Sequence, residues 1–306
     1  MQIPSLVEML EAGVHFGHQT RRWNPKMRPY IYGERNGIYI IDLEQTTRAL
    51  DKACEFVRKA ASEKKNIIFV GTKKQAAEIV EEEARRCGAH FVNRRWLGGM
   101  LTNYQTVKAS IDRLKKIEAL KGSEEWNEVP KKMQARYGRD LDKLQKSLGG
   151  IQDMKKLPGA IFVIDTEKEH IAVKEAKKLG IPTIAVVDTN CDPSNINYVI
   201  PGNDDAIRAG DLMARIICDA VEEGRQIRAR RTGAPVVMPR TVEEDAAKAQ
   251  EQAEARRQAA AQAAQREARV AAAKEEAAAV ADEPAETPAA EAPADAVAAD
   301  ETPAAE

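Results

Sequence analysis

Short runs of consecutive apolar residues alternate with stretches of helical periodicity along the first three quarters of the chain, and this alternation constrains the fold more than any other feature. The apolar runs occupy residues 38–41, 66–70, 160–164 and 183–187, and the helical stretches occupy residues 44–62, 73–87, 168–179 and 204–223. Continuous β-branched runs are typical of strands that are buried on both faces. The alternation therefore predicts an α/β fold in which helices cover a parallel sheet.

Two further strands are expected beside these runs. Residues 90–93 are predicted to form one of them. Residues 30–32 are expected to pair with Ile38 across the glycine-bounded turn at 33–37. Gly180 and Pro182 are expected to end the helix that precedes the strand at 183–187.

Residues 102–153 interrupt the alternation with two amphipathic patterns. The apolar positions are Val107, Ile111, Leu114 and Ile117 in the first pattern, and Met133, Tyr137, Leu141, Leu144 and Leu148 in the second. A break at 121–130 makes the two helices antiparallel, so the segment 105–153 is predicted to be an inserted coiled-coil hairpin. Residues 105–156 contain 13 bases and 8 acids, which indicates either a nucleic-acid-binding face or an ordinary solvated surface.

The charge of the chain is unevenly distributed. From residue 241 onward there are 16 acids and 6 bases, with no Leu, Ile, Phe, Tyr, Trp or Met, whereas residues 1–240 carry a net charge of +9. A segment that lacks large apolar residues cannot bury enough surface to offset the entropy lost on ordering, which predicts a disordered acidic tail over residues 233–306. The core domain is then expected to comprise residues 1–104 and 154–232, which flank the hairpin.

The cysteine pattern and the hydropathy both favour a cytoplasmic protein. Cys54, Cys87, Cys191 and Cys218 are widely spaced and form no CxxC pair, so we expect reduced thiols. The first residues lack the charged and apolar regions of a signal peptide, and no window of the sequence is apolar enough for a membrane span.

Basic residues are interleaved with aromatic residues and glycines at 21–30 and 93–103, and a third basic cluster occupies 225–231. Guanidinium groups pair with phosphates and aromatic rings stack on unpaired bases, so this mixture indicates structured RNA as the ligand. The predicted RNA-binding residues are Arg21, Arg22, Trp23, Asn24, Lys26, Lys73, Lys74, Arg94, Arg95, Trp96, Asn103, Lys108, Lys131, Lys132, Arg136, Arg139, Arg228, Arg230 and Arg231. The alternative is that Trp23 and Trp96 are core anchors beside surface arginines, and that the third cluster complements a helix dipole.

An enzyme is the rival class of function. Residues 70–75 follow a predicted strand and open a helix, so Lys73 and Lys74 could hold a phosphate, although the spacing is not that of a phosphate-binding loop and Thr72 could simply cap the helix. Asp165 and Asp188 stand at predicted strand ends, where α/β enzymes carry ligands, but strand-end capping explains them equally well. No complete set of nucleophile, base and oxyanion donor accompanies them.

A zinc site is also a candidate. His15 and His18 are three residues apart, and the predicted topology brings Asp188, Asp204 and Asp205 to the same edge of the sheet. Two imidazoles with one or two carboxylates suit zinc. The alternatives are packing of the histidines or their contact with RNA.

Six motifs occur in one order along residues 2–230: LEAGVHFGH at 10–18, WNPKM at 23–27, FVGTKKQA at 69–76, RWLGGMLTN at 95–103, PTIAVVDTNCDP at 182–193 and IPGNDD at 200–205. With these motifs the chain resembles the bacterial small-subunit ribosomal protein S2 family. Cys191 and the acidic extension after Gly233 are not part of this resemblance.

The resemblance implies a flavodoxin-like parallel sheet with an inserted antiparallel coiled coil. It also implies a non-catalytic structural constituent of the small ribosomal subunit, present as a monomer, that requires no cofactor. The family is expected to bind small-subunit ribosomal RNA near the head–body junction, beside other small-subunit proteins, and to help dock the large ribosomal protein S1 for translation.

Overall fold

Eight strands and seven helices succeed one another within residues 3–232, the part of the chain that this computed structural model describes. The strands are β1 (Phe16–Gln19), β2 (Ile31–Arg35), β3 (Ile38–Ile41), β4 (Ile67–Val70), β5 (His90–Val92), β6 (Ala160–Ile164), β7 (Thr183–Val187) and β8 (Tyr198–Pro201). The helices are α1 (Leu6–Glu11), α2 (Leu43–Ser62), α3 (Lys74–Arg86), α4 (Tyr104–Lys121), α5 (Lys131–Leu148), α6 (His170–Leu179) and α7 (Ile207–Thr232). The predicted acidic tail, residues 233–306, lies outside the described residues.

Five of the strands form a parallel sheet in the order β5-β4-β6-β7-β8. This is the flavodoxin-like strand order, in which the second strand along the chain lies outside the first. The prediction of a parallel α/β sheet is confirmed. No helix within residues 3–232 is both long enough and apolar enough to cross a membrane.

Both faces of this sheet are buried, which explains the continuous apolar runs in the sequence. Phe69 and Phe162 pack edge to face at 5.3 Å on the side covered by α2, α3 and α7. Ile68 and Val163 point to the opposite side, where they pack with residues of α6 and with Trp96. The four cysteines are buried and free of disulfide bonds.

The sequence analysis placed strand β3 in the parallel sheet, but β3 belongs to a second sheet. It pairs antiparallel with β1 and β2 in a three-stranded sheet, and only Ile41 among its residues is fully buried. A hairpin forms here as predicted, but its register differs from the prediction. Arg35, and not residues 30–32, lies opposite Ile38, while Ile31 pairs with Ile41. The turn is confined to Asn36 and Gly37, which both adopt positive φ. Strands β1 and β2 pair with the two edges of β3, so no edge of β3 is left to join the parallel sheet.

Helices α4 and α5 lie between β5 and β6, where the sequence predicts an insertion. Leu114, Ile117 and Leu141 form a small apolar cluster between them. Arg113 pairs with Asp140 at 2.5 Å across the two helices. The described contacts establish a packed helix pair, while the antiparallel coiled coil and the domain boundaries at 105 and 153 stay predictions.

The last strand and the start of the last helix differ from the prediction. Residues 198–201 form β8, which the sequence analysis did not anticipate, and α7 begins at Ile207 instead of at residue 204. The side-chain oxygen of Asn203 accepts hydrogen bonds from the backbone N–H groups of Asp205 and Ala206, which holds this segment in a turn. Asp204 and Asp205 therefore lie in a loop directly beyond β8. Gly180, as predicted, ends α6 with a left-handed φ of 68°.

Candidate functional site

Charged side chains converge beyond the carboxyl ends of the parallel strands, because every strand of such a sheet ends at the same edge. We call this group the polar centre, and it consists of Lys73 after β4, Asp165 after β6, Asp188 after β7, Asp204 and Asp205 after β8, and His18 from β1. The side chains of Asp188 and Asp204 are 1% and 0% exposed, whereas that of Asp205 is 52% exposed. The sequence prediction of carboxylates at one sheet edge is therefore confirmed.

Lys73 lies at the middle of the polar centre. Its Nζ is 2.8 Å from Asp204 Oδ1, 2.7 Å from Asp205 Oδ1 and 3.1 Å from Asp165 Oδ2. Burial acts to lower the pKa of Lys73, but the hydrogen bonds to Asp204 and Asp205 outweigh it and raise the pKa above its usual value. The ammonium is thus charged and fully engaged by carboxylates, so these surroundings do not favour the phosphate or RNA contact predicted for it.

The turn at residues 71–74 uses its polar groups internally as well. The backbone N–H and the hydroxyl of Thr72 both donate to Glu169, which is 2% exposed. Helix α3 has Lys73 at its N-cap position, so Thr72 does not cap it. The crevice between β4 and β6, where open α/β sheets hold their ligands, is occupied by the protein's own side chains.

The two strand-end aspartates also have structural partners. Asp165 Oδ1 accepts hydrogen bonds from the backbone N–H groups of Glu167 and Lys168, and Asp188 Oδ1 accepts from the N–H and the hydroxyl of Thr189. Both therefore cap the turns that follow their strands. Asp165 does so from a left-handed backbone conformation, with a φ of 68°, that is uncommon for a residue other than glycine.

His18 is the histidine that enters the polar centre. Its Nδ1 is 3.0 Å from Asp188 Oδ2, and its Nε2 is 3.3 Å from Asp205 Oδ2. The pKa of His18 is raised, mainly by its hydrogen bond with Asp188 and with further help from the charges of Asp204 and Asp205, against the opposing effect of burial.

His15, the other predicted ligand, has different surroundings. Its ring lies 4.0 Å from that of Phe16, and burial lowers its pKa. It belongs to neither of the two potential metal-binding groups among the described residues, which are His18 with Asp188 and Asp204, and Asp165 with Cys191 and Asp204. The prediction of two histidines at one ion rested on their separation of three residues. At the start of a strand, residues three apart point to opposite faces.

Burial governs the protonation of two more groups here. Burial, reinforced by the charge of Asp188, raises the pKa of Asp204 to about 7. Burial raises the pKa of the Cys191 thiol to about 11. The potential metal-binding group that contains Cys191 therefore holds a protonated thiol at neutral pH.

A second functional feature is the loop at residues 94–103, which follows β5. Its residues donate five hydrogen bonds to one carboxylate, that of Glu175 on α6, which is 8% exposed. The donors are the Trp96 indole at 3.2 Å, the Gly99 N–H at 2.7 Å, the Leu101 N–H at 3.0 Å, the Thr102 N–H at 3.0 Å and the Thr102 hydroxyl at 3.1 Å. Burial acts to raise the pKa of Glu175, but these hydrogen bonds outweigh it and hold the pKa below its usual value.

This loop corrects the role predicted for Trp96. The side chain is 5% exposed and packs in the core, so it has no free ring face on which a base could stack. Arg94 and Arg95, which precede it, are exposed and form no ion pair with any described residue. The loop is thus an anchored segment that presents two arginines to solvent. Glu175 could have been suspected from sequence, since it lies three residues after Ala172 and one before Ala176 on the apolar face of α6.

The other predicted RNA-binding residues fall into three groups. Lys26 is paired with Asp192 at 2.8 Å, and Trp23 is half-buried against Tyr39 at 5.2 Å between ring centroids. Asn24 and Arg228 are also half-buried. The exposed residues without an ion pair in the described part of the chain are Arg21, Arg22, Lys74, Asn103, Lys108, Lys131, Lys132, Arg136, Arg139, Arg230 and Arg231.

Comparison with known proteins gives a consistent result. The family model described as ribosomal protein S2 matches residues 9–224. The chain is 59% identical over 224 residues to the small ribosomal subunit protein uS2 of Geotalea uraniireducens (strain Rf4), a match that covers 73% of this chain and 88% of the relative. It is 56% identical over 226 residues to the small ribosomal subunit protein uS2 of Petrotoga mobilis (strain DSM 10674 / SJ95), covering 74% and 78% of the two chains.

Proposed function

The chain belongs to the ribosomal protein S2 family, and from this membership we propose that it is a structural component of the small ribosomal subunit that binds ribosomal RNA through exposed arginines and lysines. Proteins of this family are structural, so the chain is not an enzyme. The occupied crevice between β4 and β6 agrees with that conclusion, since the groups of an α/β ligand site are engaged with one another.

The main support for the RNA-binding proposal is the exposure of Arg94 and Arg95. Both are exposed and free of ion pairs with described residues, while the loop that holds them is fixed to α6 through Glu175. Because the loop is already ordered, binding of a phosphate to these arginines costs little further conformational entropy. The affinity is higher than it would be for arginines on a mobile loop. Guanidinium groups can also grip phosphate oxygens in pairs.

The helix pair supplies a second basic surface. Lys131, Lys132, Arg136 and Arg139 lie on α5, and Lys108 lies on α4, all exposed and without ion pairs in the described part of the chain. We propose that this surface contacts ribosomal RNA as well. The experiment below tests this surface with a variant of its own.

The finer placement rests on the family resemblance. We propose a position near the head–body junction of the small subunit in the cytoplasm, as a monomer, with a contribution to docking ribosomal protein S1. Crosslinking within purified subunits tests this placement, with crosslinks to S1 and to head and body RNA as the expected result. Crosslinks confined to other regions of the subunit would contradict it.

Co-sedimentation tests the proposed function directly. The tagged full chain should sediment with small ribosomal subunits at moderate salt and leave them at high salt, because contacts with phosphates release counterions. The variant Arg94→Ala/Arg95→Ala and the variant Lys131→Ala/Lys132→Ala should each leave the subunit at lower salt. The control is Arg48→Ala/Lys52→Ala, which removes the same charge from the exposed face of α2. Failure of the wild type to sediment with subunits would refute the proposal.

A further inference from the structure

Asp204 carries a buried carboxylate oxygen, Oδ2, that has no hydrogen-bond partner among residues 3–232. The residue is 2% exposed, and its other oxygen, Oδ1, is bound by Lys73 at 2.8 Å. A buried carboxylate oxygen without a donor is costly, because burial removes its hydration and nothing replaces it. The unpartnered oxygen therefore points to a positively charged ligand beside Asp204.

The neighbours of that oxygen are suited to a metal ion. One ligand atom from each of His18, Asp188 and Asp204 lies within 4.8 Å of the others. His18 Nδ1 and Asp188 Oδ2 are 3.0 Å apart. Two ligand atoms that each lie about 2.0–2.2 Å from one tetrahedral zinc ion are roughly 3.3–3.6 Å apart, so this pair would need to separate by only a few tenths of an ångström to hold the ion.

The second potential group, Asp165 with Cys191 and Asp204, is less suitable. Lys73 Nζ lies 3.1 Å from Asp165 Oδ2 and 2.8 Å from Asp204 Oδ1, so an ammonium already occupies the space between these carboxylates. A metal ion placed there would meet a like charge. Lys73 leaves Asp204 Oδ2 free, and that atom is the one available to the group containing His18.

The ligand types favour zinc. An imidazole nitrogen suits zinc and other transition metals, whereas magnesium and calcium prefer sites made of oxygens. Asp205 adds a further feature, since its Oδ2 lies 3.3 Å from His18 Nε2, the nitrogen that is not directed at Asp188. A carboxylate that accepts from the second nitrogen of a ligating histidine fixes the ring orientation and is common at zinc sites.

We propose that His18 Nδ1, Asp188 and Asp204 bind one zinc ion, with Asp205 as a positioning residue for His18. The ion would join three segments: β1 of the antiparallel sheet and the loops after β7 and β8 of the parallel sheet. Zinc would thus tie the two sheets together at the edge where the polar centre lies. This inference does not depend on the proposed RNA binding.

A zinc titration of the full chain, after removal of metals with a chelator, tests the site. We expect one zinc ion per chain by calorimetry, and an increase in melting temperature on adding zinc, since binding to the folded state stabilises it. His18→Ala should weaken zinc binding by well over tenfold, and Asp205→Asn by about tenfold. The controls His15→Ala and His170→Ala should bind zinc as the wild type does, because neither histidine belongs to the group.

X-ray absorption at the zinc edge of the wild type provides a measurement that does not depend on any variant folding. We expect nitrogen and oxygen ligands that include one imidazole and no sulfur. Sulfur in the coordination sphere would place the ion at Cys191 and overturn the proposal. It would also be overturned if the wild type bound no zinc, if folded His18→Ala bound it as tightly as the wild type, or if His15→Ala lost as much affinity as His18→Ala.

Discussion

Glu175 accepts a hydrogen bond from the indole Nε1 of Trp96 at 3.2 Å, which connects helix α6 to a residue 79 positions earlier in the chain. The same carboxylate accepts the backbone N–H groups of Gly99, Leu101 and Thr102. One buried side chain therefore determines the shape of the whole loop at residues 94–103. Gly99 takes a φ of 86° within it, a conformation that favours glycine. The exposed arginines at its start are held in place by contacts that lie underneath them.

We predict that Glu175→Gln destabilises the protein and weakens RNA binding although it removes no basic residue. Glutamine presents one acceptor oxygen and an NH₂ group to a site lined by donors, so at least two loop donors lose their acceptor. The free energy of unfolding should fall by about 3 kcal/mol, as expected for lost hydrogen bonds to a buried charge. Urea unfolding and filter binding to small-subunit ribosomal RNA measure the two effects.

The control for this variant is Glu82→Gln on α3, where the side chain is exposed. It removes the same charge and should leave the unfolding free energy within about 0.5 kcal/mol of the wild type. If Glu175→Gln behaved like this control, the carboxylate would not be what holds the loop.

The contribution of Glu175 should depend on pH. Its pKa in the folded protein lies below the ordinary glutamate pKa of about 4.5, so the ionised form is favoured by folding. The stabilisation is therefore fully present above about pH 4.5 and is lost as pH falls through the lower folded pKa. The difference in unfolding free energy between the wild type and Glu175→Gln should be constant near neutral pH and should narrow below pH 4.5. A difference that grew on acidification would contradict this assignment.

Much of the fold could be predicted from local pattern. The three central strands, at residues 67–70, 160–164 and 183–187, are visible as apolar runs because burial on both faces leaves few polar positions. Strand β8 escaped notice because Tyr198 and Val199 are only partly buried and the strand is short, at the edge of the sheet. Strand β3 belongs to a second sheet because it pairs with β1 and β2. An apolar run predicts a buried strand but does not show which strands it pairs with.

The candidate sites were predicted in part, and the failures have physical causes. The meeting of Asp188, Asp204 and Asp205 was anticipated from the predicted parallel topology. Strand β8, which places Asp204 and Asp205 there, was not anticipated. The engagement of Lys73 by Asp165, Asp204 and Asp205 could not be anticipated. A lysine at a helix start is equally suited to a phosphate. Trp96 was ambiguous for a similar reason: its partner Glu175 is distant in sequence, and an indole next to arginines fits both a base-stacking role and a core position.

Arg94→Ala/Arg95→Ala should lower both the affinity for ribosomal RNA and its dependence on salt. If the wild-type protein neutralises about six phosphates, its affinity should fall on the order of a thousandfold between roughly 50 and 200 mM salt. Removing two phosphate contacts should reduce the log–log slope by about 1.5 in magnitude. Filter binding across a salt series measures both quantities.

Two control variants test whether the effect is specific to Arg94 and Arg95. Arg48→Ala/Lys52→Ala removes the same charge from α2 and should change the salt slope little. Asp165→Asn alters a buried carboxylate that pairs with Lys73 and should leave RNA affinity unchanged, because neither group faces solvent freely. If the affinity of the wild type for ribosomal RNA did not change with salt concentration, binding by phosphate neutralisation would be contradicted.

Leu141→Asp should disrupt the packing of α4 against α5 while leaving the parallel sheet folded. Leu141 is 7% exposed and packs with Leu114 and Ile117, so the variant buries an unpaired charge at a cost of about 3 kcal/mol. Hydrogen exchange should show lost protection in both helices and intact protection in β6. Gln145→Asp, at an exposed position of α5, adds the same charge and should leave protection unchanged. Loss of protection in β6 as well would show that the helix pair and the sheet unfold as one unit.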